Sequence, residues 1–286
     1  MTVQGPTTEE RRTHIHAMWA SVADRWAEHA EDVDARGAVM TRRMLELTAP
    51  RPGDRVLELA CGPGGAGLAA AERVGPAGEV VLSDVVASMA AIAADRATAR
   101  GLTNVRAATL DLEQIDQPDA SYDIVLCREG LMFAVNPDEA AREIHRVLRP
   151  AGRVAIAVWG PRDQNPWLSL VFDAVSAQIG SPVPPPGMPG PFSLDDPSRL
   201  GDLLTAAGLT DVVVEEIPTP LRAPSFEAWW ARTSAIAGPL AGLLANLPEP
   251  ARVAIAERLR AAVQPYTTSA GVELPGLALV ASAHRP

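Results

Sequence analysis

Lysine is missing from this chain: all 25 basic residues among its 286 are arginine. Without an ε-amine the protein forms no Schiff base and holds no phosphate-loop lysine or lysine general base. Arginine stays protonated and cannot take over those roles. Positive charge is also scarce, because 35 acidic residues leave a formal net charge of −10. Nucleic-acid binders carry a basic face that displaces counterions from phosphates, so no nucleic-acid partner is expected. Cysteine is scarcer still. The chain has only 2, Cys61 and Cys127, both at ends of expected strands, and such a pair in a cytosolic chain reads as two buried thiols. Two ligands do not complete a tetrahedral zinc site, so no metal is expected. No apolar run reaches the ~18 residues of a membrane span, and the opening MTVQGPTTEERRTH is polar, unlike a signal peptide. The expectation is a cytoplasmic protein with no membrane contact.

What the sequence does contain is alternation. From residue 55, short β-like runs alternate with longer helical ones, the pattern of a parallel sheet with helices on both faces. Strands are expected at 55–60, 79–83, 105–109, 123–127 and 153–159, with helices at 65–74, 87–100 and 137–148. Asn136-Pro137 opens the last of these helices and the run RPAG (149–152) stops it. Residues 8–48 read as helices, and SPVPPPGMPGP (181–191) as a stiff extended connection. A short helix at 196–208, a strand at 209–217, helical sequence at 225–264 and a last strand at 274–284 follow. The expected organisation is an N-terminal helical cap over 1–48, a core over 49–160, a connection with the sixth strand over 161–224, a helical cap insertion over 225–268 and a last core strand over 269–286.

The segment VLELACGPGGAG (56–67) is an apolar strand running through a glycine turn into a helix. Gly62 and Gly64 let backbone N–H groups approach a ligand, and the helix presents its positive end. A tight turn without a ligand is the plain alternative. Gly62, Gly64 and Gly67 also satisfy G-x-G-x-x-G, which raises a nicotinamide-dependent oxidoreductase. Two features argue against that. Glu58 lies inside the strand, placed to accept from a cation or amine, and no arginine in the loop counters a diphosphate. Asp84 ends the second strand, where it can hold both ribose hydroxyls, and Asp111 ends the third, where it can accept from an adenine amine. Three acids at adjacent strand ends favour a cationic ligand bearing ribose and adenine.

Five segments, VLELACGPG (56–64), VVLSDVVASMAAIA (80–93), ATLDLEQI (108–115), SYDIVLCREGLMF (121–133) and EIHRVLRPAGRVAIAVWG (143–160), together resemble the class I S-adenosylmethionine-dependent methyltransferases. The branch is the one similar to ubiquinone/menaquinone C-methyltransferases and to small-molecule methyltransferases of secondary metabolism. The resemblance implies an α/β, doubly wound, Rossmann-like seven-stranded sheet in the order 3-2-1-4-5-7-6, its last strand antiparallel, with helical cap additions. It also implies S-adenosyl-L-methionine as cofactor. Carried over by residue, Glu58 would face the methionine ammonium, and the backbone of Ala60, Gly62 and Gly64 would line the methionine. Asp84 would bind the ribose, Val85 and Met89 would pack on the adenine, Asp111 with the Leu112 backbone would read its amine, and Arg128 would approach the methionine. Ala60 replaces the commoner first glycine, which narrows the backbone's freedom there.

Outside that motif set the residues have ordinary readings beside the functional ones. Glu129 is a candidate catalytic base, although a surface or capping carboxylate is the plainer role. His145 reads as structural. His14, His16 and His29 read as solvated, unless the N-terminal helices cap the pocket. Tryptophans at helical spacing are usually core; Trp19, Trp26, Trp229 and Trp230 are instead expected to line an acceptor pocket under a lid made by 8–48 and 225–264. The expected reaction is methyl transfer to a small hydrophobic or aromatic acceptor at oxygen, carbon or nitrogen, in secondary metabolism or quinone-type biosynthesis. The alternative is a cyclisation or rearrangement on the same fold. The expected partner is that acceptor alone, with the chain a monomer or homodimer.

Overall fold

Strands rich in Val, Ile and Leu can be buried on both faces only if helices cover both faces, and β-type runs of this kind set the architecture. The computed structural model describes residues 7–286; residues 1–6 of the expected cap lie outside the described residues. The chain begins with α1 (Thr8–Ala20), α2 (Ala23–Glu28) and α3 (Ala30–Thr48), then β1 (Arg55–Leu59), α4 (Gly65–Val74), β2 (Glu79–Asp84), α5 (Ala87–Ala99) and β3 (Val105–Thr109). It continues with β4 (Tyr122–Arg128), α6 (Pro137–Val147), β5 (Leu148–Trp159), α7 (Pro166–Ile179), α8 (Pro197–Ala206), β6 (Thr210–Pro218) and β7 (Leu221–Ala223). It closes with α9 (Phe226–Ile236), α10 (Pro239–Asn246), α11 (Glu249–Val263), β8 (Thr267–Thr268), β9 (Gly271–Leu274) and β10 (Leu277–His284).

The main sheet has 7 strands in the order β3-β2-β1-β4-β5-β10-β6, with β10 antiparallel to both neighbours. That is the expected order, β10 standing as the seventh strand. The order reverses between β1 and β4, so the loops leaving their C-terminal ends diverge and open a crevice. Helix starts follow local chemistry. Thr7 and Glu10 cap α1 reciprocally, the Thr7 N–H donating to Glu10 at 2.7 Å and the Glu10 N–H to Thr7 at 3.2 Å. Side chains of Asn136, Asp196 and Ser225 accept the first N–H groups of α6, α8 and α9.

Several expectations about the flanks change. α3 is not part of a detachable cap: Met40, Met44 and Leu45 are buried in the main core, and α3 packs on α4, β5 and β10. Of the three N-terminal helices, α1 and α2 contribute nothing to that main buried cluster. Residues 161–180, expected as connection, contain α7. The helical stretch at 225–264 breaks into three, at Gly238, whose φ is +56°, and before Pro248, which has no N–H to continue a helix. The last strand begins three residues later than expected. Pro275-Gly276 ends β9, which belongs to a small sheet ordered β7-β9-β8, and a side chain at Gly276 would collide with the Thr219 carbonyl. Cys61 and Cys127 are buried free thiols, as expected. Among the described residues no helix is long and apolar enough to cross a membrane, and no group of three or more His, Cys, Asp or Glu is placed to hold a metal.

Candidate functional site

The loop after β1 is wound left-handed at Ala60 (φ +50°), Gly62 (φ +51°) and Gly64 (φ +88°). Alanine tolerates that conformation poorly. Room for its methyl comes from Gly130, which follows β4: a Cβ there would collide with the Ala60 Cβ. Glu129 is left-handed too, at φ +59°, so two strained non-glycine residues end neighbouring strands at the crevice.

Asp84, at the end of β2, holds this loop. One carboxylate oxygen accepts the Gly62 N–H and the other the Val86 N–H, each at 2.9 Å. Burial pushes its carboxyl above the ordinary value, and those N–H groups pull against the shift. Each oxygen keeps a spare lone pair for a ligand hydroxyl. Asp111, after β3, is met from α1: Arg12 Nε lies 3.3 Å and His16 Nε2 3.8 Å from its Oδ2. Arg12 also bonds Glu113 at 2.8 Å, chiefly through which its guanidinium is held above its usual range.

Two cavities meet over the crevice. Ala60, Gly62, Asp84, Val85, Met89, Asp111, Leu112 and Arg128 line the smaller, roofed by Arg12, His16 and Trp26. The larger, of about 500 Å³, is walled by Met132, Trp159, Trp167, Leu168, Phe172 and the proline-rich 182–191 run, with Thr233 and Ile236 of α9. Ile15, Trp19, Trp26, Glu129 and Phe133 belong to both walls. Trp19 stands edge-on to Trp26 at 5.3 Å and to Phe133 at 5.0 Å. Arg36 of α3 pairs with Glu129 at 2.8 Å, and its guanidinium lies 5.4 Å from the Trp159 ring and 5.3 Å from the Trp167 ring.

Residues 50–171 match a family described as Methyltransferase domain. The chain is 35% identical over 174 residues to the ubiquinone/menaquinone biosynthesis C-methyltransferase of Hydrogenovibrio crunogenus, covering 60% of this chain and 68% of that protein. It belongs to the class I S-adenosylmethionine-dependent methyltransferases. The relative of the same description from Ectopseudomonas mendocina is 38% identical over 136 residues, so the methyltransferase spans only 53% of that protein's length. Two solved structures share the fold: the cyclase SpnF, with TM-score 0.60, 20% identity and coverage of 99% and 97% of the two chains, and phosphoethanolamine N-methyltransferase 2 of Haemonchus contortus with S-adenosyl-L-methionine, with TM-score 0.56, 20% identity and coverage of 86% and 52%. S-adenosylmethionine is the cofactor of this methyltransferase.

Most residues expected at the site of this methyltransferase come together, but four do not. Glu58 lies beneath the loop, 1% exposed, where it accepts the Gly67 N–H at 2.7 Å; its strand position points it at α4 instead of the crevice. Gly64 is turned against Leu82 and Ala93 and serves the turn. Trp229 is buried against Phe226 at 5.6 Å and Trp230 packs beside it, and neither lines the larger cavity, which takes Trp159 and Trp167 in their place. Arg12, which reads from the sequence as part of an exposed helix face, lies on the smaller cavity, and Arg36, for which the sequence holds no signal, lies on the larger. Their partners lie 101 and 93 residues away, and helix periodicity carries no trace of such pairing. Arg128 reaches the smaller cavity while donating to Thr41 at 2.7 Å.

Burial pushes the Glu58 carboxyl up to about 7, against the pull of Arg128 and the Gly67 N–H. The folded chain therefore holds this proton more tightly than the unfolded one. Stability that is present below the unfolded carboxyl pKa is lost as pH rises toward the folded value, and above it the loss is complete. Glu58→Gln, which keeps an acceptor for Gly67, should melt with the parent near pH 4 and above it at pH 8, by an amount on the order of 3 kcal/mol. Parallel melting curves across that range would show the carboxyl to be ionised at little cost.

Proposed function

We propose that this methyltransferase moves the methyl group of S-adenosylmethionine onto an apolar, ring-bearing small molecule held in the larger cavity, at an oxygen or ring carbon. The observation that carries this reading is the shared wall: Trp19, Trp26, Glu129 and Phe133 bound both cavities, which supports an acceptor and a cofactor lying end to end. The smaller cavity fits the cofactor's parts. Asp84, with spare lone pairs on a buried carboxylate, receives the ribose hydroxyls, Val85 and Met89 flank the adenine, and Asp111 with the Leu112 backbone reads its amine. The Ala60–Gly62 backbone and Arg128 lie toward the methionine. Bound there, the cofactor supplies an activated methyl on a sulfonium.

The remaining demands on the chain are alignment and exclusion of water. Arg12, His16 and Trp26 close the smaller cavity to about 90 Å³, well under the ~300 Å³ of small-ligand pockets. Entry of the cofactor therefore shifts α1 and α2, which close again over the reacting groups. The aromatic walls accept a flat, apolar body. The relatives' names for C-methylation in ubiquinone and menaquinone biosynthesis support a ring-carbon acceptor, while much of the larger cavity's wall comes from residues beyond 171, outside the matched family domain.

Incubation with methyl-labelled cofactor and a panel of naphthols and chromones should yield S-adenosylhomocysteine and labelled product in equal amounts. Conversion of an acceptor without S-adenosylhomocysteine would mean rearrangement in place of transfer, and absence of any thermal shift with cofactor at millimolar concentration would remove the cofactor site.

A further inference from the structure

The larger cavity has more room than a two-ring acceptor uses. Its volume of about 500 Å³ equals about 17 waters at the ~30 Å³ that each takes in the liquid. Bonded ring atoms pack closer than separate waters, so a body of ~20 heavy atoms fits. One helix keeps part of that room open. Gly242 stands inside α10 and lines the cavity, although glycine is the poorest helix former after proline. Neither conformation nor crowding demands it there: its φ is not positive, and outside its own helix a Cβ would meet only Ser21 Oγ, at an ordinary 3.5 Å. Ser21 lines the same cavity. What the missing side chain leaves is space for a ligand. The two carboxylates and two guanidinium groups on the wall are also engaged within the protein: Arg36 pairs with Glu129 at 2.8 Å, Asp32 bonds His29 at 3.1 Å, and Arg232 donates to the Arg222 carbonyl at 3.0 Å.

We propose that the acceptor is an uncharged polycycle of about four fused rings, and that Gly242, with Ser21 facing it, sets this preference for size. The proposal rests on the larger cavity being the acceptor site of the methyl-transfer reading. Affinity for an apolar body grows with the area it takes out of water, and one that fills only part of the cavity forgoes contact with the remaining wall. Added rings therefore strengthen binding for as long as position 242 carries no side chain to occupy their place. Charge works the other way. An ionised acceptor would leave water for a wall whose acids and arginines cancel and already have partners, so its desolvation goes uncompensated.

Calorimetry on the full chain saturated with S-adenosylhomocysteine compares 2-naphthol with equilenin, a four-ring phenol built on the same naphthol. Equilenin should bind about a hundredfold tighter or more. Gly242→Leu fills the space beside Ser21 and should cut that preference below about tenfold, while S-adenosylhomocysteine, whose cavity Gly242 does not line, binds as in the parent. Should this variant not fold, Ser21→Leu fills the same space from an exposed position at the end of α1 and should act alike. The 17-carboxymethyloxime of equilenin and its methyl ester are close in size and differ by one charge; the ester should bind about tenfold tighter or more. Equal affinities for 2-naphthol and equilenin overturn the proposal, as does a preference that survives in whichever variant folds, or an acid that binds as tightly as its ester. Failure of methyl transfer is read separately, with labelled cofactor. Equilenin bound in a Gly242-dependent way without release of S-adenosylhomocysteine would remove the transfer and keep the size selection, whereas methylated 2-naphthol with no preference for equilenin would remove the size selection alone.

Discussion

Asp84→Ala should weaken binding of S-adenosylmethionine and S-adenosylhomocysteine by a hundredfold or more. Two losses combine. A ribose offers two hydroxyls to one buried carboxylate, and hydrogen bonds to a charged group contribute about 1.5–3 kcal/mol each. The same carboxylate fastens the Gly62 and Val86 N–H groups, so its removal also loosens the left-handed loop that lines the cavity. Asp111→Ala should cost less, near tenfold. Its carboxylate already accepts the Glu113 N–H at 2.8 Å and faces Arg12, the adenine amine adds a single donor, and the Leu112 backbone shares the contact. Calorimetry with both ligands measures the difference. An Asp84 variant that binds like the parent would take this residue out of the site, and a larger loss at Asp111 would reverse the assignment of ribose and adenine ends.

The parts of the molecule legible in the sequence are those whose cause is local. The β1–α4 turn is one: Gly62 and Gly64 adopt the positive φ that glycine accommodates, and the acid at the end of β2 lies where a parallel neighbour must bring it. The sheet order came with the five segments' resemblance and agrees with the pairing of β1 with both β2 and β4. Glu58 shows the limit of such reading. An acid within a strand belongs to one face or the other by a single-residue alternation, and which face meets the ligand depends on where the strand ends. Trp229 and Trp230 show another, since helical spacing cannot tell a tryptophan buried within a cap from one facing a cavity. α3 had the composition of a cap helix, with Glu31, Asp32, Asp34, Arg36, Arg42 and Arg43 along it, but its buried stripe of Val33, Met40, Met44 and Leu45 fastens it to the sheet. The Arg36–Glu129 pair was invisible for the same reason that makes it informative: it joins a helix before the sheet to a loop inside it.

Trp19→Ala combined with Trp26→Ala should cut turnover a hundredfold or more while leaving the sheet domain folded. These rings belong to α1 and α2, outside the main core, in a small separate cluster with Ala23, Val86 and Met89. Their removal therefore touches neither the sheet's buried strands nor α3. What they do hold is the roof. Trp26 comes within 3.6 Å of where a Cβ on Gly62 would stand, and Trp19 within 2.8 Å of one on Gly238, at the start of α10. One aromatic pair thus spans from the cofactor loop to the second cap. Without it the two cavities open to water at their junction, where the reacting groups must be aligned, and misplacement by about 1 Å can cost on the order of a hundredfold. The melting temperature should fall by only a few degrees, and amide exchange in α1 and α2, slowed by S-adenosylhomocysteine in the parent, should stay fast in the variant. A double variant that turns over at the parent rate would show that α1 and α2 do not close over the reaction, and a collapse of the whole protein would place the two rings in the main core after all.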